Sequence, residues 1–248
     1  MTYSRPWMFL GLSLMAAGAI LLCQQGCQPA RNSPLPQAGE GQGVRAADPT
    51  PWKDLFDGKT LAGWKTPEFG GEGKVSVKDG AIVMEMGAAM TGVTYTGEVI
   101  RNNYELTLEG MRLDGSDFFC TTTFPVGDDP CSLVVGGWGG MVVGLSNVDF
   151  YDASENPTTK TATFKEKQWY RVRIRVSDAA IEAWIDDQQL VNQARKGHKF
   201  SIRMECDLCK PLGISTWCTA GAVRNIRVRK LKPEEVRAIT DKQEKAAD

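Results

Sequence analysis

The chain has 248 residues, with 29 lysines and arginines against 30 aspartates and glutamates and a formal net charge of −1. That balance excludes the strongly basic surface that nucleic-acid binders carry. The length leaves one domain with a sizeable core once the terminal segments are set aside.

The first 27 residues read as an export signal. Arg5 is followed by an apolar run from Trp7 to Cys23 and then by Gly26-Cys27. A basic start, an apolar centre and small residues before a cysteine predict a lipoprotein signal with Cys27 as the lipidated residue. Gln24 is unusual there, and plain secretion or a retained membrane anchor are the alternatives; all three place the protein in the periplasm or cell envelope. Residues 28–50, rich in Pro, Gly, Gln and Ala, read as a flexible spacer.

The globular part is expected over 51–232. Leu55, Phe56, Leu61 and Trp64 form an apolar cluster broken by the Asp57-Gly58 turn signal. Val75 and Val77, then Ile82, Met84 and Met86, alternate on either side of Asp79-Gly80, which predicts a hairpin. Alternation recurs at Tyr104–Leu108, in the RVRIRV run from Arg171 to Val176, at Ile181–Ile185, at Ile202–Cys206 and at Asn225–Arg229. Period 2 puts each apolar set on one sheet face. Short strands between turns, without helical periodicity, predict an all-β sandwich or barrel. Residues 233–248 form a short charged tail, with a solvated, frayed helix from Pro233 to Lys245.

Five cysteines follow Cys27: Cys120, Cys131, Cys206, Cys209 and Cys218. Disulfides are permitted in an exported chain. Cys120 and Cys131 flank a turn-rich loop and are the expected bridge. Cys206-Asp207-Leu208-Cys209 with Cys218 and His198 matches no standard zinc spacing. A bridge from Cys218 to Cys206 or Cys209, or buried thiols, fits better, and no resident metal is assigned.

Phe56-Asp57-Gly58-Lys59-Thr60-Leu61-Ala62-Gly63-Trp64 resembles the opening signature of the DUF1080, or 3-keto-disaccharide hydrolase, family. The Val77-Lys78-Asp79-Gly80 hairpin, the Asn103–Leu106 strand and the Gly221–Val228 strand resemble it as well. The resemblance implies a two-sheet jelly roll similar to concanavalin A-like lectins and glucanases. It also implies hydrolysis of glycosides whose sugar carries a 3-keto group. The middle departs from the family pattern, with Gly115-Ser116-Asp117-Phe118-Phe119 in place of a Gly-Asn-Ser-Gly-type strand, and no catalytic residue is carried over.

The site is therefore expected in the stretch from Asp117 to Thr159. A ketone acidifies the proton on the neighbouring carbon, so a positioned base can start an elimination. Asp117, Asp149, Asp152 and Glu155 are the candidate bases. In an extended strand Asn147, Asp149 and Tyr151 share a face. With Asn156 and Trp138, which sits between Gly136-Gly137 and Gly139-Gly140, they are the candidate sugar-binding residues. Asp149, Asp152 and Glu155 also supply oxygen ligands suited to Ca²⁺ or another divalent cation. The alternative function is a non-catalytic carbohydrate-binding or cell-envelope adhesion module. If Cys27 carries the lipid, Cys27→Ser moves the protein from the membrane fraction to the soluble fraction and abolishes palmitate labelling.

Overall fold

The computed structural model describes residues 50–247; the signal, Cys27 and spacer assignments lie outside the described residues. In chain order the first strands are β1 (Lys53–Asp54), β2 (Trp64–Lys65), β3 (Val75–Lys78), β4 (Ala81–Met84), β5 (Met90–Tyr95), β6 (Tyr104–Gly115), β7 (Thr121–Val126) and β8 (Asp129–Gly137). They are followed by β9 (Val142–Ser146), β10 (Lys160–Thr161), β11 (Trp169–Val176), β12 (Ala180–Ile185) and β13 (Gln188–Ala194). A 3-10 helix (Met204–Cys209), β14 (Gly213–Trp217), β15 (Thr219–Lys230) and the helix α1 (Pro233–Ala247) complete the chain.

The strands form two antiparallel sheets packed as a sandwich, the jelly-roll class expected. One sheet runs β13-β12-β11-β6-β15-β4-β3, with β1 on β15; the other runs β10-β9-β8-β7-β14-β5-β2. Leu106, Leu108, Val172, Ile174 and Ile181 of the first face Val93, Phe124, Leu133, Leu145 and Ile214 of the second, all fully buried. The DG turn behaves as read: Asp79 and Gly80 both take positive φ, the type I′ geometry that matches strand twist. In the opening signature Asp57 accepts the N–H groups of Lys59 (2.8 Å) and Thr60 (2.7 Å), which holds its carboxyl down at about 2. Trp64 donates its indole N–H to the Leu55 carbonyl at 2.8 Å, closing the segment onto the core.

The outer face of the first sheet is filled by its own charges. Arg175 pairs with Glu105 at 2.7 Å, Arg224 pairs with Glu109 at 2.8 Å, and Arg173 stacks 3.9 Å from the Trp184 ring centre. Trp184, on the polar side of its strand, is thus covered by arginine. The second sheet keeps its outer face for other use.

Four expectations are corrected. Ile202–Cys206 is no strand; Met204–Cys209 winds into a 3-10 helix. Asn147, Asp149 and Tyr151 share no strand face, because β9 ends at Ser146 and Asp149 and Phe150 adopt left-handed φ of 52° and 73°. Cys120 and Cys131 are free and buried. The β7–β8 register sets Cys131 opposite Phe124, four residues along from Cys120. That is roughly 13 Å of strand, beyond the reach of a disulfide. Finally, α1 is no frayed appendage. Ile239 is 5% exposed and packs with Leu231 and Ala180, and Lys242 reaches Glu182 at 3.2 Å.

Glu235 anchors α1 by a two-pronged contact with Arg229, 2.7 and 2.8 Å, and by accepting the Lys232 N–H. The Arg229 guanidinium holds the Glu235 carboxyl at about 2, below its ordinary 4.5. A depressed carboxyl stabilises fully above its unfolded value and loses that contribution as the pH falls through the folded one. The helix should therefore undock between about pH 4.5 and 2 while the sheets persist, followed by hydrogen exchange over residues 234–240. The loss is at most about 3 kcal/mol, lowered by partial exposure. Glu235→Gln should remove this pH dependence.

Candidate functional site

The site is built on the outer face of the second sheet. Alternation on β7, β8, β9 and β14 sends Phe124, Leu133, Val135, Leu145 and Ile214 inward and leaves Thr121, Thr123, Ser132, Val134, Ser146 and Ser215 outward. Neighbouring strands place these hydroxyls side by side. Ser215 lies opposite Thr121, Thr123 opposite Ser132, and Ser132 opposite Ser146; the Thr123 and Ser132 hydroxyls bond at 2.8 Å. A cavity of ≈ 240 Å³ stands on this face. Its floor includes Thr121, Ser132, Val134 and Ser146, and its walls bring Asp117, Arg203 and Glu205 together with Trp138 and Trp217. The Thr121 hydroxyl is buried without a partner among the described residues, a state a bound group or ordered water relieves.

One wall depends on Arg112. This residue lies on the inward side of β6, 6% exposed, with its guanidinium over the Phe119 ring. It donates to the carbonyls of Asp117 (3.1 Å), Gly136 (3.4 Å) and Gly140 (3.1 Å). Those three bonds fix both ends of the loop that presents Trp138. Gly136 is required there: its φ is +77°, and a Cβ would stand 2.6 Å from the Arg112 guanidinium. Trp138 itself is held at φ 47° and is 43% exposed. Asp117 ties the loop from the other side, accepting the N–H groups of Phe118 and Gly139.

The opposite wall is a zipper between residues 147–152 and 198–205. Asn147 and Ser201 exchange backbone bonds, and Val148 bridges Phe200. Asp149 accepts the Lys199 N–H at 2.9 Å and meets Nδ1 of His198 at 2.7 Å, and the backbone bond and the histidine together pull its carboxyl below the usual range. Asp152 takes Nη1 of Arg203 at 2.9 Å, and Glu205 takes Nη2 at 2.9 Å. The Arg203 contact lowers the Glu205 carboxyl and the Glu205 contact raises the Arg203 guanidinium.

The sequence-predicted residues therefore divide. Asp117 and Trp138 line the cavity. Asp152 stands behind Arg203, and Asp149 is engaged by His198. Glu155 is exposed on the loop and Tyr151 is 59% exposed beyond the cavity lining. Asn147 bonds Ser146 and Ser201. Asn156 is buried and spent on its own loop: its amide donates to the Leu145, Tyr151 and Asp152 carbonyls and its oxygen accepts from Thr158. It is a loop brace with no donor left for a sugar. The divalent-cation reading gains nothing, since Asp149 is engaged by His198 and Asp152 by Arg203. Among the described residues no cluster of three or more His, Cys, Asp or Glu side chains suits a metal.

Arg203, Glu205 and Arg112 were missed. The alternation around Ile202 disguised the first two as strand residues, and nothing in the sequence around Arg112 marks it as buried. No bridge joins Cys218 to Cys206 or Cys209, and the latter two are buried thiols, the other alternative; the five cysteines among the described residues are all free. Burial pushes Cys206 up to about 11 and Cys209 up to about 12, so both are protonated, weakly nucleophilic thiols.

Residues 51–229 match the family model described as the 3-keto-alpha-glucoside-1,2-lyase-like domain. No curated protein matches the chain. Among solved structures, an inferred glycosyl hydrolase from Parabacteroides distasonis aligns at 14% identity and TM-score 0.47, covering 73% of this chain and 94% of that one. The carbohydrate-binding module CBM66 from Bacillus subtilis aligns at 8% identity and TM-score 0.43, covering 66% and 93%. The Crh5 transglycosylase aligns at 12% identity and TM-score 0.49, covering 75% and 85%.

Replacing Arg112 by Met should strand the Asp117, Gly136 and Gly140 carbonyls at a cost on the order of 3 kcal/mol. Calorimetry should show the lower Tm, and amide exchange over residues 136–140 should accelerate more than over β11.

Proposed function

The chain belongs to the 3-keto-alpha-glucoside-1,2-lyase-like domain family, and on that premise we propose that it is an exported carbohydrate-active protein that cleaves 3-keto-glycosides in the cavity over the second sheet. The observation that carries the reading is the convergence there of two carboxylates, Asp117 and Glu205, a guanidinium, Arg203, and two indoles, Trp138 and Trp217. Indole faces suit a sugar ring, and charged groups in a partly dry cleft act strongly on developing charge.

The chemistry follows from the ketone. A carboxylate takes the proton on the carbon between the ketone and the anomeric centre. The electron pair enters an enolate. The bond from the anomeric carbon to the glycosidic oxygen then breaks, a carbon–carbon double bond forms, and the departing oxygen takes up a proton. Water added across the double bond completes a net hydrolysis. Glu205 is the assigned base, through the oxygen that Arg203 does not engage. Arg203 lies beside it to stabilise the enolate, and Asp152 on its far side fixes its orientation. Asp117, anchored by Gly139, is the second carboxylate and the candidate to orient the water.

The second reading is non-catalytic carbohydrate binding on the same face. It is favoured by the lowered Glu205 carboxyl, since a carboxylate held ionised by arginine accepts sugar hydroxyls without cycling a proton. The test is a panel of 3-keto and ordinary disaccharides, assayed for binding and for turnover. The proposal expects turnover of the keto sugars alone, with Glu205→Gln lowering kcat about a hundredfold or more while binding survives. Binding without turnover in the wild type would reject the catalytic reading and leave the binding one.

A further inference from the structure

The cavity is small for a glycoside. At ≈ 240 Å³ it lies below the roughly 300 Å³ at which pockets for drug-sized ligands begin. It has room for one sugar ring, which would leave whatever is attached to the anomeric carbon outside, on the rim. The rim has an unusual composition. Seven large hydrophobic side chains are exposed among the described residues, and six of them, Trp138, Met141, Phe150, Tyr151, Met204 and Leu208, lie in two segments, 138–151 and 204–208. Those segments border the cavity and are joined by the Asp152–Arg203 contact. Most of the exposed apolar side chains of the described residues thus come from the two segments that also supply Trp138, Ser146, Glu205 and Cys206 to the cavity lining. Such concentration marks a binding surface, whereas single exposed apolar residues are ordinary.

The rim is presented, not merely left over. Met204 is 86% exposed between Arg203 and Glu205, which both face the cavity. Phe150 is 76% exposed, on a backbone held at φ 73° next to Asp149 at 52°. A left-handed pair of non-glycine residues costs free energy, and here Asp149 is locked by Lys199 and His198. Methionine and leucine offer a sugar no hydrogen bonds. They offer an apolar group deformable contact area.

We infer that the keto-sugar ring fills the cavity and its leaving group lies on the rim formed by Trp138, Met204 and the Phe150–Tyr151 tip, so that the preferred substrates are 3-keto-glycosides of aromatic or otherwise apolar alcohols and not 3-keto-disaccharides. The inference rests on the cavity being the sugar site. It differs in naming the chemistry of the second half of the substrate.

The test uses three 3-keto-glucosides: those of 2-phenylethanol and ethylene glycol, alcohols of similar acidity, and that of a second glucose, whose more acidic hydroxyl is the better leaving group and so works against the expected preference. Matched acidity keeps intrinsic leaving-group reactivity out of the comparison between the first two. The expected result is a kcat/KM about tenfold or more higher for the phenylethyl compound, the gain from covering part of a phenyl ring. Met204→Ser should remove most of that preference, lowering kcat/KM for the phenylethyl compound several-fold more than for the hydroxyethyl compound. Equal kcat/KM for the three, or an equal effect of Met204→Ser on all three, overturns the inference. If the wild type turns over none of them, the catalytic reading fails separately. Calorimetric Kd values for the same compounds then decide the rim, a phenylethyl preference sensitive to Met204→Ser supporting it and equal affinities overturning it. A concentration-dependent dimer dissolved by Met204→Ser would assign the rim to a second copy of the chain and also overturn the inference.

Discussion

A buried arginine decides the shape of the site. Arg112 belongs by position to the inner face of the first sheet, in line with Leu106 and Leu108, where a leucine would be ordinary. It instead reaches across the end of the sandwich to carbonyls of the second sheet's loop. Burial pulls its pKa down, because a cation in that place has lost its water. What it gives in return is geometry. The Gly136–Gly140 loop has few side chains to order it, and two bonds to one rigid guanidinium, which a third bond ties to Asp117, replace them. Phe119 lies beneath, packed edge-on against Phe164 at 5.2 Å, so the clasp itself stands on a fixed base.

The two sheets have divided their outer faces. The first is closed by arginine–glutamate rows and by α1, anchored through Glu235. The second places threonine and serine hydroxyls where a solvent-facing sheet would carry longer charged side chains, and then roofs them with the Trp138 loop and the 3-10 helix. A floor of short hydroxyl side chains leaves room for a ring between the roof elements. It also supplies polar partners at fixed spacing, because each hydroxyl is set by a strand register. Fold and chemistry meet in that register.

The opposite wall shows how a loop becomes a functional surface. Residues 147–152 are tied to 198–205 by backbone bonds, a histidine–aspartate contact and an arginine shared between two carboxylates. Of the aspartates singled out for chemistry by their residue type, Asp149 and Asp152 are used for tying. The carboxylate of this wall that reaches the cavity, Glu205, comes from the other partner. Sequence distance hides such exchanges, since Asp152 and Arg203 stand 51 residues apart.

Much of the fold was legible in the chain. Period-2 runs such as RVRIRV, the Asp79-Gly80 turn and the Phe56–Trp64 signature follow from local rules: side-chain alternation, positive φ at a two-residue turn, and an aspartate capping its own loop. Those rules act over a few residues, so one sequence suffices to read them. Asp117 and Trp138, picked from the sequence by residue type, both line the cavity. The pairing of Cys120 with Cys131, the strand face for Asn147, Asp149 and Tyr151, and the role of Asn156 were decided elsewhere. Strand register separated the cysteines, a left-handed turn ended the strand, and the carbonyls of a buried loop consumed the asparagine. Arg112, Arg203 and Glu205 acquire their roles only when β6, the Trp138 loop and the 3-10 helix come together, because a side chain's partners across a sandwich are set by packing and not by its neighbours in the chain.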